Sequence, residues 1–202
     1  NRIQCPCSDH QDLAQHFQEV LKKKLQEFNI EIEIKRSEDW QKDELYERKA
    51  KEILEEHDKL KKYLESEYEL NYERGLFHPI CDSCDNIKNT RFEGFNGSSV
   101  QGFCEECEKS FSSGIHSGKF TWKVECALRW YINNVDFEPF MRNYLSKPSG
   151  SFLVTSDVIE RVFDEEPPFA LKFSYLPFNK KIPKPSRIVP EELLCELMIG
   201  DI

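Results

Sequence analysis

Two cysteine pairs, Cys81-Asp82-Ser83-Cys84 and Cys104-Glu105-Glu106-Cys107, stand 19 residues apart and constrain this chain more than any other feature. A CxxC turn brings two thiolates to one ion, and two such turns at this spacing can meet tetrahedrally around zinc. The metal would hold the sulfurs deprotonated at neutral pH. With Cys81, Cys84, Cys104 and Cys107 all committed, no position remains for water or substrate, so the implied zinc is structural. Between the pairs, Arg91–Phe95 and Val100–Phe103 read as a hairpin turned at Asn96-Gly97. Gly94, Gly97, Gly102, Gly114 and Gly118, with short Phe-bearing segments, mark residues 78–118 as a loop-rich module.

The rest of the composition narrows the class. A net charge of −9 argues against a general nucleic-acid coat, although a local basic groove remains compatible with it. The 15 Phe, 7 Tyr and 3 Trp supply large apolar areas for a core despite a charged share of 32%. No stretch approaches the roughly 18 apolar residues of a membrane span, so a soluble, intracellular protein is expected, cytoplasmic or organellar (mitochondrial), with no membrane partner. Eight cysteines without a secretion signal read as metal ligands and buried thiols, Cys126 and Cys195 among the latter. Asn96-Gly97-Ser98 is then a chance sequon. The abrupt start at Asn1, without Met, suggests a trimmed chain or part of a longer one.

Periodicity places the elements. Asp9 to Asn29 reads as an amphipathic helix through Leu13, Phe17, Val20, Leu21, Leu25 and Phe28. Ile30 to Ile34 alternates strictly and predicts a strand. A second helix is expected over residues 43–69, its dense charges forming a solvated face. Trp122 to Asn134 should be helical, with Trp122, Cys126 and Trp130 on one stripe, and 135–140 a strand. Asp157 is suited to cap a helix with Glu160 at its third position. Phe169, Leu171, Phe173 and Tyr175 alternate as another strand, and Pro190 through Leu197 looks helical. Cys5-Pro6-Cys7 with His10 and His16 invites a second metal site, although its spacing is loose.

The run Gly118-Lys119-Phe120-Thr121-Trp122-Lys123-Val124-Glu125-Cys126-Ala127-Leu128-Arg129-Trp130 resembles the Trp-rich segment of class I lysyl-tRNA synthetases. Val135–Phe140, Ile159–Phe163, Glu166-Pro167-Pro168 and Ala14-Gln15-His16-Phe17 extend the likeness over nearly the whole chain. The resemblance implies an α/β fold, a partial Rossmann-like core of class I aminoacyl-tRNA synthetase type with an inserted zinc ribbon. Residues 1–77 would form its first part (helix, strand, helix), 78–118 the ribbon, and 119–202 its second part. That family activates lysine with ATP. Three departures stand against it here. The HIGH signature is absent, since the chain begins downstream of its place. The KMSKS signature reads Lys181-Ile182-Pro183-Lys184-Pro185, and its prolines remove hydroxyl and N–H donors that a phosphate loop uses. Where the family lines its lysine pocket with a Gly-Lys-Asp-His-like run, this chain has Met141-Arg142-Asn143-Tyr144.

The resemblance therefore implies a degenerate synthetase, non-catalytic as given, with Lys181 and Lys184 as remnants of a catalytic loop. It would serve as a zinc-stabilised scaffold, or an RNA- or protein-binding part of a larger assembly concerned with translation, a pseudoenzyme of shape. Lys172, Lys180, Lys181, Lys184 and Arg187, with no acidic residue between Phe169 and Pro190, are the candidate contacts to tRNA or rRNA; the plainer reading is a solvated loop balancing nearby glutamates. The alternative is a piece of an active lysyl-tRNA synthetase with ATP as cofactor. A third reading is a protein-interaction module built on the charged helix.

Overall fold

A computed structural model describes Cys5 and residues 9–146 and 148–173. These fall into two units, one holding Cys5 and residues 9–35, the other residues 36–146 and 148–173.

In the first unit, α1 (Leu13–Glu27) starts at Asp12, whose carboxylate accepts the Gln15 N–H at 2.8 Å. It ends on Asn29 in the left-handed region (φ 55°). The Ile30 N–H bonds to Leu25 O and the Asn29 N–H to Gln26 O, satisfying the last carbonyls. No residue of α1 is fully buried, and Phe17 stays 43% exposed. The strand expected at Ile30–Ile34 does not form. Alternation makes a strand only where a neighbour pairs with it; this stretch has no ladder, and Ile30 and Ile32 remain exposed.

The second unit opens with α2 (Ser37–Trp40), then α3 (Glu44–Glu55) and α4 (His57–Tyr68). The single helix expected over 43–69 is broken at Glu56 (φ −98°, ψ 12°). Tyr46, Ala50, Ile53 and Leu54 of α3, and Leu60 and Leu64 of α4, enter the core, while Leu45 is only half-buried. The short strands β1 (Phe77–Pro79) and β5 (Gly118–Phe120) pair antiparallel. Between them, β2 (Thr90–Phe95), β3 (Val100–Cys104) and β4 (Lys109–Ser113) form an antiparallel sheet in sequence order. The β2–β3 hairpin is the one expected, with a bulge between Phe92 and Gly94 and a turn through Gly97 (φ 90°).

Helix α5 (Trp122–Asn133) buries Cys126 and Trp130, but Trp122, expected on the same stripe, is 63% exposed. Trp122 is the first helical residue and stands out beyond the packed face. After it come β6 (Phe137–Met141), α6 (Asn143–Ser146), α7 (Ser151–Phe163) and β7 (Phe169–Phe173). Asp157 is not a cap. It lies inside α7, which begins after Gly150, and reaches Arg161 one turn on at 3.7 Å. β6 and β7 pair in parallel, joined through α7. The Phe140 side chain packs edge-on against Trp130 and Phe152, so α5 and α7 cover one face of the pair. The fold is mixed α/β. The tail helix at 190–197, Cys7 and Cys195 lie outside the described residues.

Candidate metal centre

The four cysteines converge. Each CxxC forms a tight turn closed by a residue in the left-handed region, Asp85 (φ 54°) after the first and Glu108 (φ 51°) after the second. Asp85 N–H bonds back to Cys81 O, and the Ser83 N–H points at Cys81 Sγ at 3.5 Å. Asn86 Oδ1 accepts from the N–H groups of Lys88 and Asn89, which fixes the chain leaving the first turn. Glu105 N–H then bonds to Asn89 O, tying the two turns together. The second turn grows from the end of β3, where Cys104 pairs with Lys109 and with Thr90. Beneath lies a small apolar cluster of Cys81, Cys104 and Phe111. Gly102 is required there, because a Cβ would stand 2.6 Å from Pro79 Cγ and 2.9 Å from the Phe111 ring.

Cys84 Sγ and Cys104 Sγ are 3.7 Å apart, Cys81 Sγ and Cys107 Sγ 3.9 Å, and all four sulfurs lie within 4.8 Å of one another. Zinc–sulfur bonds of about 2.3 Å in a tetrahedron put the sulfurs about 3.8 Å apart. The donor set and spacing therefore fit one such ion, with Cys81 and Cys104 buried and Cys84 at the surface. The thiols also oppose one another electrostatically. Burial works against ionisation of Cys81, but the N–H groups of Ser83 and Cys84 and the neighbouring thiols outweigh it and bring its pKa down to about 7. Cys107 is pushed up to about 12, first by Cys84 and then by burial. Four thiolates in one place need a cation.

A second cluster joins Cys5, His10 and His16, whose ligand atoms also lie within 4.8 Å of one another. His10 Nδ1 and His16 Nδ1 are 3.4 Å apart, and His10 Nε2 meets Glu19 at 3.1 Å. The loose spacing in sequence is closed up by the turn into α1, so these three side chains could also hold a metal.

Glu125, Arg129 and Trp130 of the Trp-rich segment turn inward. Glu125 accepts the Phe120 N–H at 3.0 Å and the Gln41 side-chain amide at 2.6 Å, and burial raises its pKa. Arg129 donates to Glu138 on β6 and to Cys126 Sγ, while Trp130 is 1% exposed. Met141 is half-buried at the end of β6, and Tyr144 lies edge-on to Phe140 with ring centroids 6.4 Å apart. Of the basic residues singled out, Lys172 is exposed on β7. Lys180, Lys181, Lys184 and Arg187 lie outside the described residues.

Missed by the sequence reading was His57, a polar anchor at the break between α3 and α4. It is 4% exposed, accepts the Leu76 N–H on Nε2 at 2.9 Å, pairs through Nδ1 with Asp58 at 2.8 Å, and stacks on Phe92 at 4.0 Å. A lone histidine in a charged helix gives no periodic signal that could have found it.

The family model described as "tRNA synthetases class I (K)" matches residues 1–186. The chain belongs to this family. Among its relatives, a lysine–tRNA ligase of Methanosarcina barkeri is 28% identical and lysine–tRNA ligase 1 of Methanosarcina acetivorans 26% identical, each alignment covering 98% of this chain and 40% of the relative. The lysine–tRNA ligase of Archaeoglobus fulgidus is 26% identical over 89% of this chain and 37% of its own length. The chain thus spans about two-fifths of the ligases it matches. The Trp-rich segment places Glu125, Arg129 and Trp130 within a family match rather than a local coincidence. Among the described residues, no helix is long and apolar enough to cross a membrane.

Proposed function

We propose that this class I lysyl-tRNA synthetase relative is non-catalytic as given and acts as a zinc-stapled scaffold, or an RNA- or protein-binding component, within a larger assembly. Its core is a partial Rossmann-like sheet (β6–β7 with α5 and α7), and the module at 78–118 is a zinc ribbon set into it. Cys81, Cys84, Cys104 and Cys107 hold one zinc, which supplies cross-linking and no chemistry on a substrate. The Cys5, His10 and His16 cluster is a candidate for a second ion.

The observation that carries the reading is the inward commitment of three residues of the family's Trp-rich segment, whose Trp122 stays exposed. Glu125 accepts from Phe120 and Gln41, Arg129 donates through one terminal guanidinium nitrogen to Glu138 and Cys126, and Trp130 is buried. Transition-state stabilisation needs donors placed together at the reacting group. The prolines of Lys181-Ile182-Pro183-Lys184-Pro185 and the Met141–Tyr144 run further weaken that provision. ATP–pyrophosphate exchange with lysine tests it directly. No exchange above background is expected, and exchange at the rate of an ordinary synthetase overturns the reading. RNA contact through Lys172 and the basic residues after it is tested by filter binding across salt. Retention at low salt that falls steeply as salt rises is expected.

A second reading is favoured by the relatives, which are lysine–tRNA ligases. If the chain is one piece of an active lysine–tRNA ligase, exchange activity appears when the remaining piece is added and ATP becomes its cofactor.

A further inference from the structure

His78 and Lys119 stand directly opposite each other in the β1–β5 ladder, so their side chains leave one face of it. Phe77 and Phe120 turn the other way, into the core. With Asn71, Tyr72, Arg74, Glu105 and Thr121, His78 lines a polar cleft of about 660 Å³. The Arg74 backbone is fixed there from two sides. Gly75 N–H closes a turn onto Tyr72 O at 2.8 Å, and Phe92 N–H donates to Arg74 O at 3.0 Å. Among the described residues, neither the Arg74 guanidinium nor the Lys119 ammonium makes an ion pair or a hydrogen bond, and the buried Nδ1 of His78 has no hydrogen-bond partner. Burial first, then the charges of Arg74 and Lys119, hold the His78 pKa below its ordinary value. The imidazole is therefore neutral at neutral pH and offers one N–H.

We propose that Arg74, His78 and Lys119 bind the phosphate group of a phosphomonoester in this cleft. Two cations without partners beside a neutral donor match a compact anion of about two charges, which a phosphomonoester carries above its second pKa of about 6. The planar guanidinium can take two phosphate oxygens side by side, the ammonium a third as a point charge, and the imidazole donates its N–H. Glu73 and Glu105 also line the cleft, both exposed. Their carboxylates oppose a run of backbone phosphates laid across it, whereas one terminal group beside His78 meets the charges of Arg74 and Lys119. The ester is a small sugar phosphate or the 5′ end of an RNA, and the group recognised is the same in both. The site lies beyond the scaffold reading, because neither cation belongs to the cysteine turns or the core.

The test uses the full chain loaded with zinc, in a buffer free of phosphate, with binding read by calorimetry. Inorganic phosphate and ribose 5-phosphate are expected to bind saturably, one per chain, and ribose not at all. Arg74→Ala and Lys119→Ala should each weaken that binding about tenfold. Lys59→Ala, which removes an exposed lysine of α4, should leave it unchanged. Both cations of the cleft are exposed, so their variants should keep the zinc content and urea midpoint of the parent. The titration midpoint of His78, followed by NMR, should rise when the cleft is saturated with phosphate, since a bound anion favours the imidazolium. A short RNA bearing a 5′-phosphate that binds about tenfold more tightly than the same RNA with a 5′-hydroxyl identifies an RNA end as the source. Equal affinity of the two RNAs, with ribose 5-phosphate still bound, identifies a small ester. No saturable phosphate binding, or binding that Arg74→Ala and Lys119→Ala leave unchanged, overturns the inference.

Discussion

The two sheets of the second unit solve the same problem in opposite ways. β2–β3–β4 is too small to bury a core of its own; its cysteine end is tied down locally by the paired CxxC turns, Phe111 and the bonds through Asn86 and Asn89, while Val100 and Phe92 reach the larger core. β6–β7 belongs to the larger core and still exposes Phe137, Phe169 and Leu171. Small folds that cannot bury enough apolar area depend on cross-links, whereas a parallel pair depends on layers. The first kind of stability is concentrated at the cysteine end; the second rests, among the described residues, on the layer that α5 and α7 supply.

That contrast can be broken most severely at the metal. Apparent zinc affinities in small modules are worth about 10–16 kcal/mol, comparable with the about 5–15 kcal/mol of a whole domain. Cys104→Ser is therefore expected to lose about one zinc per chain by elemental analysis, and hydrogen exchange should then show residues 78–118 opened. A module that stays protected without metal would mean that its hydrogen bonds alone suffice. Gly102→Val comes next. The added Cβ meets Pro79 and Phe111, and overpacking of this kind costs about 1–3 kcal/mol, read as a lowered urea midpoint with zinc still bound.

His57 joins the two regimes and gives a pH test. Burial lowers its pKa below the ordinary value of about 6.5, against the opposing pull of Asp58. The folded protein thus binds fewer protons there than the unfolded chain, so its stabilisation is complete above about pH 6.5 and is lost as pH falls through the depressed folded pKa. Urea midpoints should drop on acidification. His57→Leu should flatten that slope at the cost of about 1–3 kcal/mol for the stranded Leu76 N–H; an unchanged slope would remove His57 as its origin. The smallest effect is expected at the bare sheet. Phe169→Ser in the isolated chain should move stability by less than about 0.5 kcal/mol, because the ring is already 73% exposed. A large loss there would mean that the face is covered from within the chain.

Legibility in sequence followed the range of the interaction. The cysteine turns, the β2–β3 hairpin, α5, β6 and β7 rest on local spacing and were readable. The Ile30–Ile34 alternation misled because a strand is defined by its neighbour, which no local pattern reports. The break at Glu56 escaped because its cause is tertiary: His57 swings onto Phe92 and the Leu76 N–H. Asp157 misled in a different way, since its spacing to Glu160 mimics a capping box while the helix had already begun after Gly150. At the candidate metal centre, the convergence of the four cysteines was legible. The glycine that admits Phe111 was not, because its reason is a contact from another strand.

The pairing of β1 with β5 has one more consequence. Phe77 faces Phe120 and Pro79 faces Gly118, so the chain enters and leaves the cysteine module through two strands held side by side. That two-stranded stalk is not the module's sole attachment: Val100 and Ile115 are buried in the main core and Phe92 stacks on His57. Excising the module by a short turn between the two strands would therefore strip the core of those side chains, so its removal is a loss of shared foundation and not the lifting out of a cassette.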